Sequence, residues 1–191
     1  MSNFYWPFEI DHVVNYGYGM NIFNNEECDK IIQMGNNDNL ENAKLSTKYD
    51  VSVRDSKTQF LPTNDDTEWI YRKLTDAVQS INEQCFKFEL TGFGEGLQFT
   101  KYEAPTGKYD CHIDKTYNGK VRKLSISLQL SESYDYVGGD LEVYAGGESY
   151  ILKRARGTLI FFPSYLLHRV TPVTEGTRYS LVAWVTGPNF R

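Results

Sequence analysis

A chain of 191 residues, 40% of them hydrophobic, is long enough to bury a sizeable core and falls within the usual size of one domain. Its formal net charge of -5, with Lys and Arg only in short scattered clusters, excludes the basic field that attracts phosphate backbones, and no nucleic-acid partner is expected. The N-terminal MSNFYWPFEI has no basic stretch before an apolar one, and no segment approaches the roughly 20 apolar residues that span a bilayer, so a soluble, cytoplasmic protein with no membrane partner is expected.

In chain order, Asn24-Asn25-Glu26-Glu27 offers a cap and an acidic first turn for a short helix that carries Cys28, Ile31 and Ile32 and stops at Gly35. Residues 36–64 are polar and rich in Asn, Asp, Lys and Ser; they read as a loop with one short strand near Tyr49 to Arg54. Within them, the stretch from Lys44 to Pro62 has the composition of a mobile lid over a substrate. A second helix is expected to begin near Asp65 and Asp66. Its apolar residues Ile70, Leu74, Ala77, Val78, Ile81 and Cys85 recur at three- and four-residue spacing.

From Gly92 the texture changes to short β-rich runs: Leu97 to Glu103, Val121 to Ser131, Leu141 to Tyr144, Tyr150 to Lys153, Thr158 to Phe162 and Arg178 to Thr186. Turns are supplied by Gly138-Gly139, Gly146-Gly147, Arg156-Gly157 and Glu175-Gly176. Helices first and short strands afterwards predict a single α+β domain over 1–191, with helical support over 1–91 and a sandwich or jelly roll over 92–187. Cys28, Cys85 and Cys111 are odd in number and widely spaced, which suits reduced thiols rather than a disulfide framework or a zinc site.

Of the three histidines, His12 has no informative context, whereas His112 and His168 each sit on a β-like run. In extended chain, residues i and i+2 point the same way, so His112 and Asp114 can offer an imidazole and a carboxylate to one point, and His168 can complete three ligands from a neighbouring strand. Two histidines and a carboxylate on one face of a metal, with the other positions open, suit non-haem Fe(II). Taken alone, an H-x-D pair and a strand histidine are also ordinary structural residues. Alternation over residues 177–184 puts Arg178, Ser180, Val182 and Trp184 on one face and Tyr179, Leu181 and Ala183 on the other. A buried arginine there would need a carboxylate partner, and its planar fork suits the far carboxylate of a dicarboxylic 2-oxoacid; the competing reading is an arginine on an edge strand in solvent. The run Leu124 to Leu130 alternates in the same manner, as a half-exposed strand or as the lining of a wet cavity.

These residues resemble the 2-oxoglutarate- and Fe(II)-dependent dioxygenases, and among them the prolyl-hydroxylase-like branch that includes the PKHD-type hydroxylases. The matching segments are Tyr102 through Tyr109 to His112 and Asp114, then Gly138-Gly139-Asp140-Leu141, and Phe162-Pro163-Ser164 through His168 to Arg178-Tyr179. The resemblance covers roughly residues 97 to 187. It implies a double-stranded β-helix (jelly roll) core flanked by the N-terminal helices. It further implies His112, Asp114 and His168 as iron ligands, Arg178 as partner of the 2-oxoglutarate C5 carboxylate, and Tyr102 in the cosubstrate pocket; Ser180, beside Arg178 on the same strand face, is expected to join it in binding the cosubstrate. Gln129 stands where some prolyl hydroxylases place a tyrosine, so carboxylate contacts there differ in detail. Tyr109, Arg122 and Trp184 resemble residues that face the substrate, and no catalytic group beyond the metal centre is implied. The cofactors implied are Fe(II), 2-oxoglutarate and O2, with ascorbate as an optional reductant. The activity implied is hydroxylation of an unactivated C-H bond, with succinate and CO2 as co-products and a prolyl residue of a peptide or protein as substrate. Three rival readings are the same chemistry on a free amino acid or other small molecule, a cupin-like module holding Mn or Zn, and a non-enzymatic jelly-roll interaction protein. Neither the oligomeric state nor the biological process is legible.

Overall fold

The computed structural model describes residues 14–44, 50–114 and 116–189; His12 and Tyr49 lie outside the described residues. In chain order the elements are β1 (Gly17–Gly19), α1 (Asn25–Gly35), β2 (Glu41–Asn42), β3 (Arg54–Asp55), β4 (Lys57–Leu61), α2 (Glu68–Ile81) and, after it, one π-helical turn (Asn82–Phe86). Then follow β5 (Gly92–Phe93), β6 (Leu97–Glu103), β7 (Lys108–His112), β8 (Thr116–Tyr117), β9 (Lys120–Gln129), β10 (Tyr136–Gly138), β11 (Leu141–Ala145), β12 (Glu148–Ile151), β13 (Leu159–Pro163), β14 (Leu167–Val170) and β15 (Val173–Gly187).

Helix α1 begins as its capping residues dictate. The Asn24 side chain accepts from the Glu27 backbone N–H and the Glu27 carboxylate accepts from the Asn24 N–H, both at 2.9 Å. Helix α2 starts later than Asp65. Asn64 Oδ1 accepts from the N–H groups of Asp66 and Thr67, and Thr67 Oγ1 donates to the Pro62 carbonyl at 2.6 Å, so these residues form a side-chain-locked turn ahead of the helix. Cys85 belongs to the π-helical turn rather than to the α-helix.

The polar segment before α2 is not a loop with one strand. Three short strands occupy it, because pairing with distant partners supplies what local composition does not: β2 pairs β4, β4 pairs β6 and β3 pairs β7, all antiparallel. The expected helical support over 1–91 is therefore mixed, since β1 also joins β13. Only Ser56 separates β3 from β4, so the chain crosses from one sheet to the other there.

The main sheet runs β1-β13-β9-β15-β6-β4-β2 and the smaller one β12-β11-β14-β7-β3. One face of the main sheet carries Leu97, Phe99, Leu124, Ile126, Leu128, Leu181, Ala183 and Val185, and buries them against Ile31, Ile70, Leu74 and Val78 of the two helices. Approach is close: a Cβ added at Gly35 would lie 2.2 Å from the Phe99 ring. The opposite face, with Tyr102, Ile160 and Phe162, packs on Leu141, Val143 and Val170 of the smaller sheet. The two antiparallel sheets thus face each other across a second core, and the polar residues of the inner face line the cleft between them. Among the described residues no helix is long and apolar enough to cross a membrane.

Candidate metal centre

Strand β7 ends at His112, whose Cα partner across the smaller sheet is His168 on β14. Asp114 follows two residues later, tied by its N–H to the Ser164 carbonyl at 2.9 Å. One ligand atom from each of His112, Asp114 and His168 lies within 4.8 Å of the others. Each imidazole is oriented through its other nitrogen. Nδ1 of His112 lies 2.8 Å from the Asp110 carbonyl and Nδ1 of His168 lies 3.0 Å from the Leu166 carbonyl, so both act as N–H donors there. That tautomer leaves each Nε2 lone pair free, at 3.7 Å and 3.4 Å from the Asp114 carboxylate.

Protonation states suit metal binding. Burial, and then the neighbouring His168, push the His112 pKa down to about 4, so the ring is neutral near pH 7. Burial works against the charged form of Asp114, yet attraction to His168 and His112, the Trp184 hydrogen bond and Arg122 together hold its pKa below the usual carboxylate value. Its Oδ2 accepts from Ser125 Oγ at 2.9 Å and from Trp184 Nε1 at 2.8 Å. Ser125 Oγ also lies 2.9 Å from Ser164 Oγ.

A cleft of about 730 Å³ opens over these groups. Arg178 lines it although the residue is only 1% exposed. Nη2 of Arg178 donates to Gln129 Oε1 at 3.0 Å, while Nε and Nη1 are buried and, among the described residues, have no hydrogen-bond partner. Two buried guanidinium donors are costly unless something else satisfies them. A carboxylate matches their fork, and the two-imidazole, one-carboxylate set matches Fe(II) with open positions for other ligands. The residues present fit both groups.

The remaining expected residues divide. Ser180, Tyr109, Arg122 and Trp184 line the cleft. Tyr102 does not: it is buried beside Arg178, its Cα partner on β6, with its ring 5.3 Å from the guanidinium. Gln129 is likewise occupied with Arg178 rather than open to the cleft. Trp184 contacts the metal set itself through Asp114. Arg122 stacks 3.9 Å above the Trp184 ring and donates through Nε and Nη2 to both oxygens of Glu95, at 2.7 Å and 2.6 Å. Sequence reasoning gave no role to Glu95, which carries no local signal, or to Ser125 and Ser164; Ser125 was foreshadowed by the alternation in Leu124 to Leu130, and Ser164 lies in the matching segment Phe162-Pro163-Ser164.

A candidate three-residue metal set held between facing antiparallel sheets is an arrangement suited to a non-haem metal in a jelly-roll fold. The model of the 2OG-Fe(II) oxygenase superfamily matches residues 97–186. Those residues include all three candidate ligands and Arg178. It is 42% identical over 80 residues to a PKHD-type hydroxylase of Synechococcus sp. (strain CC9311), a match covering 41% of this chain and 36% of that protein. It is 31% identical over 127 residues to a PKHD-type hydroxylase of Synechococcus elongatus, covering 62% of this chain and 56% of the relative. The match thus spans a third to little over half of these curated relatives. Among solved structures, a Pseudomonas putida prolyl-4-hydroxylase aligns with a TM-score of 0.72 at 20% identity, over 92% of this chain and 94% of that one. A Trichoplax adhaerens prolyl hydroxylase aligns at 0.76 and 15% identity, over 90% and 83%. At these identities the likeness is one of fold.

Proposed function

We propose that the chain is a 2-oxoglutarate- and Fe(II)-dependent dioxygenase that hydroxylates an unactivated C-H bond, with a prolyl residue of a peptide or protein as its substrate. The observation that carries this reading is the buried Arg178, which lines the cleft that holds His112, Asp114 and His168 and has two donors without a partner among the described residues. When bound, Fe(II) and 2-oxoglutarate supply the oxidation of the C-H bond by O2, with succinate and CO2 as co-products.

The chain's own residues do the holding. His112, Asp114 and His168 take the metal, with their backbone and side-chain partners fixing ring and carboxylate orientation. Arg178 takes the far carboxylate of 2-oxoglutarate, steadied by Gln129 and backed by Tyr102, and Ser180 beside it lines the cosubstrate pocket. Tyr109, Arg122 and Trp184 face the substrate from the cleft wall. Ascorbate is an optional reductant. A peptide substrate is supported by the Trichoplax prolyl hydroxylase, whose structure is a complex with a peptide fragment. The free thiols of Cys28, Cys85 and Cys111 support a reducing compartment such as the cytoplasm.

Anaerobic titration with Fe(II) and 2-oxoglutarate, followed by the weak visible band of the chelate, tests the assignment. The band is expected in wild type, absent in His112→Ala, and displaced to far higher 2-oxoglutarate concentration in Arg178→Ala. A wild type without the band would remove the proposal.

A further inference from the structure

The cleft holds a second buried arginine that the proposed function does not use. Arg54, on β3, is 7% exposed and lines the cleft. Its guanidinium carbon lies 4.4 Å from the centre of the Tyr109 ring, and that ring in turn stacks on His112 with centroids 3.5 Å apart. One aromatic ring therefore links this cation to the metal set. Nε of Arg54 donates to Ser56 Oγ at 3.0 Å. Among the described residues its terminal nitrogens have no hydrogen-bond partner and it makes no ion pair.

Arg54 stands apart from the other charged residues of the cleft. The acidic residues lining the cleft are Glu41, Glu95 and Asp114. Glu95 is bound at both oxygens by Arg122, Asp114 belongs to the metal set, and Glu41 lies exposed on the short strand β2. With Fe(II) and 2-oxoglutarate in place, the metal's charge is met by Asp114 and one cosubstrate carboxylate, and Arg178 by the other. Arg54 is then the one buried cation of the cleft lining, among the described residues, left without an anion. Its terminal nitrogens are accessible from the cleft rather than fully buried, and a guanidinium fork recognises a carboxylate best.

We infer that Arg54 binds a carboxylate of the substrate, placed a few bonds from the carbon that reacts. This rests on the proposed function and narrows its substrate class to anionic ones. The carboxylate comes either from an acidic residue next to the target residue of a peptide or from the α-carboxylate of a free amino acid, and the test separates the two.

The experiment is calorimetric titration of the full chain loaded with Mn(II) and 2-oxoglutarate, in which no turnover occurs. Two matched probe pairs are used: a blocked Ala-Pro-Asp-Ala peptide against its Asn counterpart, and L-proline against L-prolinamide. In wild type the acidic member of at least one pair is expected to bind about tenfold or more tightly than its neutral partner. That preference disappears in Arg54→Gln and partly survives in Arg54→Lys, while 2-oxoglutarate affinity is the same in all three proteins. A preference in the peptide pair identifies an acidic neighbour, and one in the proline pair identifies the free α-carboxylate. Acid and neutral members that behave alike in wild type, bound or unbound, overturn the inference, as does a preference that persists in Arg54→Gln. Loss of 2-oxoglutarate affinity in Arg54→Gln also overturns it, by assigning the residue to the cosubstrate. The Mn(II) and 2-oxoglutarate titration is read first and judges the proposed function separately.

Discussion

Trp184 holds the metal set as much as it lines the cleft, because its Nε1 donates to the same Asp114 oxygen that Ser125 reaches. Removing such a supporting bond typically costs ten- to hundredfold in metal affinity. Trp184→Phe keeps most of the ring and loses the donor, so Mn(II) affinity measured by calorimetry is expected to fall about tenfold or more with the fold intact; unchanged affinity would refute the assignment. His112 gives a prediction for the metal-free protein. Folded, its ring stays neutral down to about pH 4, whereas an unfolded histidine takes up its proton near pH 6.5. Between those values the unfolded chain holds the extra proton, so stability from this group is fully present above pH 6.5 and is lost as pH falls toward 4. Urea midpoints of the metal-free protein should drop over that window, and the drop should be smaller in His112→Asn. At this scale the site was legible in sequence where the chemistry is local. An H-x-D pair on extended chain and the alternation around Arg178 each use a two-residue period, and the structure brings these residues into one cleft. Glu95 and Arg54 were not legible, because nothing near either residue announces the distant Arg122 or Tyr109 that it meets.

The elements show the same division between local and distant causes. Helix α1 was readable because its cap is closed by residues three apart, Asn24 and Glu27. Strands β3 and β4 were not, since Arg54–Asp55 and Lys57–Leu61 are mostly polar and owe their extended form to β7 and β6. The lid expected over residues 44–62 meets the same fact: Lys57 to Leu61 are paired along their whole length with Leu97 to Lys101, and residues 45–49 lie outside the described residues. Gly35 was read only as the stop of α1, yet it is also the point where that helix meets the main sheet. Gly35→Ala would drive a methyl group to 2.2 Å from Phe99, and relief requires the helix or the ring to move. A loss of roughly 1–3 kcal/mol in denaturant unfolding is expected from such overpacking. A variant as stable as wild type would mean that the contact relaxes freely.

For the molecule as a whole, the main sheet separates two tasks on its two faces. Leu128 is fully buried on the helix side, and Leu128→Ala is expected to cost about 2–5 kcal/mol. Ser127, its neighbour in sequence, points to the cleft, and Ser127→Ala removes only a long hydrogen bond from Gln129, 3.4 Å, so about 1 kcal/mol or less is expected. Paired thermal unfolding of the two variants checks the contrast, and equal losses would contradict it. The helix-covered face thus carries much of the cohesion, while polar lining residues such as Ser127 contribute little to keeping the chain folded. A descendant of this sequence is free to exchange residues such as Ser127, Val182 or Arg54 one at a time, trying new molecules in the cleft, without first having to acquire a sturdier scaffold.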